Sequence, residues 1–164
     1  MEFEDWQLDG CAEIYSLEEY KNLNIGGIVS CTSGGFDPIH VGHISCIMES
    51  KFNSQTALVV IVNGDSFLRN KKGKPFMDLK TRCQIVSSIR DIDIVIPFEI
   101  ENDNTVCKAL EIIKPTYFTK GGDRKDPSSI PEWNTCVENG IEVIFNVGKP
   151  KFWSSSDFLK NWSN

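Results

Sequence analysis

The chain has two histidines, His40 and His43, three residues apart, a spacing that brings both side chains to one side of a helical turn. Imidazole donates hydrogen bonds and titrates near neutral pH, so two of them in one turn suit a place where negative charge must be stabilised. Gly34 and Gly35 let the backbone approach a ligand closely, Pro38 fixes the loop, and Gly42 leaves space where a side chain would obstruct a phosphate or a base. A bare His-x-x-His is more often a coincidental pair of surface or capping histidines; the glycines around it turn the balance towards a ligand. Further along, Lys71, Lys72 and Lys74 flank Gly73, Arg82 lies in an amphipathic stretch, Lys120 precedes Gly121, Gly122 and Asp123, and Ser154, Ser155 and Ser156 stand together. Each has a plain alternative: a solvated turn for the lysines, an exposed helix position for Arg82, turn aspartates for Asp65 and Asp123, an N-cap for the serines.

Apolar, β-rich runs at Ile28 to Cys31, Ala57 to Val62, Ile92 to Ile96, Thr116 to Thr119 and Ile141 to Val147 predict five strands. Helical patterns fall between them, at Val41 to Phe52, Asp78 to Ile89, Thr105 to Ile113 and Pro131 to Asn139. An added helix at Ser16 to Leu23 is marked by Ser16 and Glu19 in capping-box spacing, and a closing helix runs from Ser154–Ser156 to Trp162. The alternation implies an α/β fold, a Rossmann-like five-stranded parallel sheet with helices on both faces. In such folds ligands bind where strands end and helices begin. The residues of chemical interest fall there, in Gly34 to His43, Asn63 to Lys74, Lys120 to Arg124 and Lys151 to Ser156.

A chain of 164 residues with 40% hydrophobic residues fits one globular domain, residues 1–25 forming an N-terminal extension and helix. The formal charge of -6 disfavours nucleic acid as a partner. Six scattered cysteines without a Cys-x-x-Cys pair are read as reduced thiols in a cytoplasmic protein. No stretch approaches the roughly 20 apolar residues of a membrane span, so no membrane partner is expected.

The segment Gly34-Gly35-Phe36-Asp37-Pro38-Ile39-His40-Val41-Gly42-His43 resembles the signature of the His-x-Gly-His nucleotidyltransferase superfamily. The resemblance runs in order from about Tyr15 to Lys160. Val62-Asn63-Gly64-Asp65 with Lys71-Lys72-Gly73-Lys74-Pro75 is similar to a strand turn and lysine loop of heptose-type sugar-phosphate adenylyltransferases. Arg82 falls on a family arginine, Asp93 to Ile96 resembles the third core strand, and Lys120 to Asp123 and Ser154 to Ser156 are similar to the two remaining signature blocks. The chain departs from the pattern at Gly35, where many relatives carry Thr, Ser or Cys, and in the all-serine final block followed by Asp157.

The resemblance implies transfer of an adenylyl group from a nucleoside triphosphate, ATP, to a small phosphorylated substrate such as a heptose 1-phosphate, with release of pyrophosphate. Cytidylyl transfer from CTP to glycerol 3-phosphate or a similar polyol phosphate is the alternative, and a nucleotide-binding module without turnover a second one. His40, His43 and Lys72 are then the catalytic residues. Gly34, Gly35, Phe36, Gly42, Arg82, Lys120, Gly121, Gly122, Asp123, Ser154, Ser155 and Ser156 bind the nucleotide along with the histidines. Asp65 and Lys74 meet the acceptor, and Asp123 contacts Mg2+. Asp37 orients the loop. Relatives of this size commonly form homodimers, and self-association is expected here. Class I aminoacyl-tRNA synthetases share a similar His-x-Gly-His element, but the chain has no Lys-Met-Ser-Lys-Ser block.

Overall fold

The computed structural model describes residues 3–122, 124–150, 152 and 154–163. In chain order the elements are β1 (Glu13–Ile14), α1 (Leu17–Lys21), β2 (Val29–Gly34), α2 (Val41–Glu49), β3 (Ala57–Asn63), α3 (Asp65–Lys72), α4 (Leu79–Ser87), β4 (Ile94–Phe98), α5 (Cys107–Ile113), β5 (Tyr117–Gly121), α6 (Trp133–Glu138), β6 (Glu142–Val147) and α7 (Ser155–Ser163). β3 is the run Ala-Leu-Val-Val-Ile-Val-Asn, in which Leu58 to Val62 are fully buried. Branched side chains suit a pleated strand, and burial on both faces suits the interior of a sheet covered on both sides. Each such side chain contributes roughly 1.5–3 kcal/mol by leaving water.

All strands are parallel, in the order β1-β4-β3-β2-β5-β6. Alternation along β3 sends Val59 and Ile61 to one face, with Tyr20 of α1, Leu110 of α5 and Cys136 of α6. Leu58, Val60 and Val62 go to the other, with Ile47 of α2 and Cys83 and Val86 of α4. The chain steps outward from β2 through β3 to β4, then returns to lay β5 on the other side of β2. Connections leave β2 and β5 in opposite directions there, and a crevice opens at the strands' carboxyl ends.

The α/β class holds, with two differences from expectation. The sheet has six strands rather than five, because the N-terminal segment adds β1 along β4, pairing Glu13 with Ile94 and Ile14 with Val95. Two residues carry no readable period; the sheet edge they cover selects them. Secondly, Asp65 to Lys72, expected as part of a loop, is helix. Its N-cap, Gly64, has no side chain, and the cap comes from Glu99, whose carboxylate accepts from the amides of Asp65 (2.7 Å) and Ser66 (3.1 Å).

Candidate functional site

β2 ends in the crevice, and the chain from Gly35 to His40 leads from it into α2. Phe36 takes a left-handed backbone conformation (φ 52°) and is buried with its ring edge-on to His43 at 5.2 Å. The fully buried carboxylate of Asp37 accepts from the amides of Phe76 (2.6 Å) and Met77 (2.8 Å) and pairs with Lys72 Nζ at 2.9 Å. Lys72 also donates to the Asp37 carbonyl. The loop is thereby fastened to the end of α3 and the segment after it.

His40 is the N-cap of α2. Its Nδ1 accepts from the amides of Gly42 (3.1 Å) and His43 (3.4 Å), while His43 Nδ1 accepts from the His40 amide (3.2 Å). This reciprocal box stacks the rings at 3.7 Å, 19° from parallel. An Nδ1 that accepts puts the proton of a neutral ring on Nε2, an assignment made from the hydrogen-bond pattern. The turn therefore presents two Nε2–H edges side by side. A β-carbon added at Gly42 would come to 3.0 Å from the His40 ring, so a side chain there would press on the ring that makes the cap.

A cavity of about 320 Å³ lies along the carboxyl edge of the sheet, at the small end of ligand sites. The histidine turn gives it Gly34, Gly35, Phe36, His40, Gly42 and His43; β5 and its continuation give Lys120, Gly121 and Gly122. The remaining lining includes Lys71, Asn104, Val106, Arg124, Ile130, Pro131, Glu132 and Lys149. Three lysines and an arginine beside two imidazoles make a basic enclosure in a chain of net charge -6, and such local concentration is how a protein field draws in a polyanion.

Of the other residues singled out in the sequence, several lie elsewhere. Arg82 is 0% exposed. Its guanidinium donates to the carbonyls of Met77 (3.0 Å), Gly35 (2.9 Å) and Asn63 and pairs with Asp65 at 2.6 Å. The planar fork expected to hold phosphate instead ties the ends of β2 and β3 to the start of α4, and Asp65 is its counter-ion. Lys72 is held by Asp37, and Lys74 is exposed away from the cavity lining. Ser155 Oγ donates to the Pro38 carbonyl at 2.8 Å, anchoring the start of α7 beside the histidine loop, and Ser154 accepts from the Phe158 amide through its carbonyl. Ser156 is exposed. None of these three serines lines the cavity. Asp123, together with Lys151 and Trp153, lies outside the described residues.

Arg124, Lys149 and Glu132 are lining residues to which the sequence reading gave no role, and Lys71 is one it named only as a neighbour of Lys72. Helix turns successive residues by about 100°, so once α3 forms, adjacent Lys71 and Lys72 point apart and only Lys71 reaches the cavity. Lys149 follows Gly148, which has φ 88° and lies so close to α2 that an added β-carbon would sit 2.7 Å from the Cys46 amide nitrogen. The amides of Gly148 and Lys149 donate to Glu49 (2.8 Å) and Ser45 (2.7 Å), docking this loop on α2. That glycine is the one local signal that could have marked Lys149. Burial pushes the thiols of Cys83 and Cys136 up to about 12 and 11, and that of Cys31 higher still, so these three are unreactive packing groups.

The sequence pattern described as cytidylyltransferase-like matches residues 31–160. Proteins named "Bifunctional protein HldE" are similar to the chain: that of Coxiella burnetii (strain Dugway 5J108-111) is 33% identical over 121 residues, covering 73% of this chain and 24% of its own. That of Shewanella amazonensis is 30% identical over 146 residues, covering 88% and 28%. The chain thus spans about a quarter of the length of these relatives. The lipopolysaccharide core biosynthesis protein of Thermoplasma volcanium superposes with a TM-score of 0.63 at 29% identity, over 77% of this chain and 100% of that one.

Proposed function

The chain belongs to the cytidylyltransferase-like family of nucleotidyltransferases, and from that premise we propose that it transfers an adenylyl group from ATP to a sugar phosphate, releasing pyrophosphate. The observation that carries this reading is the stacked pair His40 and His43, their Nδ1 atoms engaged in the cap and both residues in the lining of a basic cavity. An oxygen of the acceptor's phosphate attacks the α-phosphorus, and the bond from that phosphorus to the oxygen bridging to the β-phosphate breaks in line. A phosphate dianion needs no strong base, so the protein's part is positioning and charge stabilisation. Nε2–H donors meet the non-bridging oxygens as charge develops, while Lys71, Lys120, Arg124 and Lys149 hold the polyphosphate.

Magnesium enters as the triphosphate's counter-ion. Asp123 is the carboxylate we assign to Mg2+, which would otherwise be held by phosphate oxygens and water. ATP and a heptose-like phosphate are favoured by the likeness of Lys120 to Asp123 to the adenylyltransferase block. The cytidylyltransferase-like pattern favours the second reading, CTP with glycerol 3-phosphate or a similar polyol phosphate.

The test is pyrophosphate release with ATP or CTP, Mg2+ and a panel of sugar and polyol phosphates. Loss of one transition-state donor in His43→Ala is expected to lower turnover about 10²–10³-fold, beside a loss of stability of only about 1 kcal/mol from the missing capping bond. Undiminished turnover sinks the mechanism, and nucleotide binding with no pyrophosphate from any acceptor converts the reading to a binding module.

A further inference from the structure

Glu132 is 5% exposed and lines the cavity. One carboxyl oxygen, Oε1, accepts from the Val106 amide at 3.2 Å; the other, Oε2, is buried and has no hydrogen-bond partner. The residue is the N-cap of α6, yet its side chain makes no capping bond there. A buried carboxyl oxygen without a donor is unfavourable, and such atoms are rare enough in folded proteins to call for a cause.

Its place supplies one. The histidines ride on α2, which covers one face of the sheet, whereas Glu132 stands between α5 and α6, which cover the other, and the same cavity touches both. Imidazole edges and Lys71 suit the phosphates. A carboxyl group repels phosphate and attracts an amino or hydroxyl hydrogen. Beside Glu132 the cavity lining has its chain neighbours Ile130 and Pro131 and its hydrogen-bond partner Val106, an apolar wall against which a sugar or base can pack. We propose that Glu132 is a specificity-determining residue whose Oε2 accepts a hydrogen bond from an amino or hydroxyl donor on the nucleoside half of the bound triphosphate. This rests on the triphosphate reading given above. A site built to pair a donor rejects an analogue that lacks it more strongly than one that differs in size.

Calorimetric titration of the wild type and Glu132→Gln with ATP, CTP and inorganic tripolyphosphate tests it. The variant keeps shape and one acceptor but presents a mismatched amide. The preferred nucleotide is expected to weaken about tenfold or more, the scale of a hydrogen bond to a charged group, while tripolyphosphate binds as before. Nucleotide affinity unchanged in the variant overturns the proposal, and so does equal weakening of tripolyphosphate, which would mark a purely structural role. In the wild type, 2′-deoxy and 3′-deoxy triphosphates and ITP or UTP, which replace the amino group, should include one analogue about tenfold weaker than its parent that is no weaker again in Glu132→Gln. If that variant does not fold, this series alone decides, and equal binding of all analogues overturns the assignment. Should neither tripolyphosphate nor either nucleotide bind the wild type, the triphosphate site itself is wrong; tripolyphosphate binding without gain from a nucleoside refutes only the role of Glu132.

Discussion

Beneath the loop from Gly35 to His40, Arg82, Asp65, Asp37 and Lys72 form a set of charges answered almost wholly by the protein: carboxylate to guanidinium, ammonium to carboxylate, the remainder to backbone. Above it, at the start of α2, His40 and His43 satisfy each other's backbone through Nδ1 and line a cavity. Both regions hold the same loop, and both contain residue types that bind phosphate, arginine and lysine below and histidine above. The difference lies in what each set faces. The lower charges are buried beneath the loop and set positions; the histidines line a cavity, where a ligand can meet them. Stabilising a developing charge requires donors held in place beforehand, so the lower set is the condition for the upper one.

The largest effect that could break this contrast is Arg82→Met. It strands Asp65 and three carbonyls, and unfolding free energy is expected to fall by about 3–5 kcal/mol, read by denaturant titration; a stable variant with impaired nucleotide binding would return Arg82 to the ligand. Next is His40→Asn. Asparagine caps a helix well, so stability should hold within about 0.5 kcal/mol while pyrophosphate release falls about 10²–10³-fold. Loss of both would make the histidine a structural cap alone. The neighbouring lysines divide the two regions at closer range. Lys72→Met should lower stability by about 1–3 kcal/mol, since the buried Asp37 carboxylate loses its cation, whereas Lys71→Met should leave stability alone and weaken ATP by about tenfold. The reverse result would exchange their roles.

The smallest effect lies outside both regions. Asp78 caps α4, accepting from the Thr81 amide at 2.8 Å, and this bond, with the nearby Arg82 and Lys80, holds its carboxyl below the usual carboxylate range. A lowered folded pKa contributes stability above the unfolded value, about 3.9, that is lost as pH falls through the folded one. Asp78→Ala should therefore be about 1 kcal/mol less stable than wild type at pH 7, with the gap closing below pH about 3.9. A gap independent of pH would exclude the carboxylate as its source.

Much of this arrangement was legible in the residues. The branched run of β3, the capping box of Ser16 and Glu19 and the His40 to His43 spacing each act over a few residues, and each formed as its pattern implied. α3 was not legible, because its cap comes from Glu99, 34 residues away. Nor was the destination of Arg82, whose partners include Gly35, 47 residues earlier; an arginine on a helix reads alike whether its fork finds phosphate or carbonyl. Glu132 gave no signal at all, since only the packing of α5 beside α6 buries it.

The sequence by itself determined the alternation of parallel strands and helices and the histidine turn, since periodicity, glycine and capping act between neighbours along the chain. Tertiary structure alone decided that Lys71 rather than Lys72 faces the cavity, that Arg82 and Asp65 answer each other, and that Lys149 and Glu132 belong to the same enclosure. Those outcomes depend on which groups from distant segments come within hydrogen-bonding reach, and no local pattern records that distance.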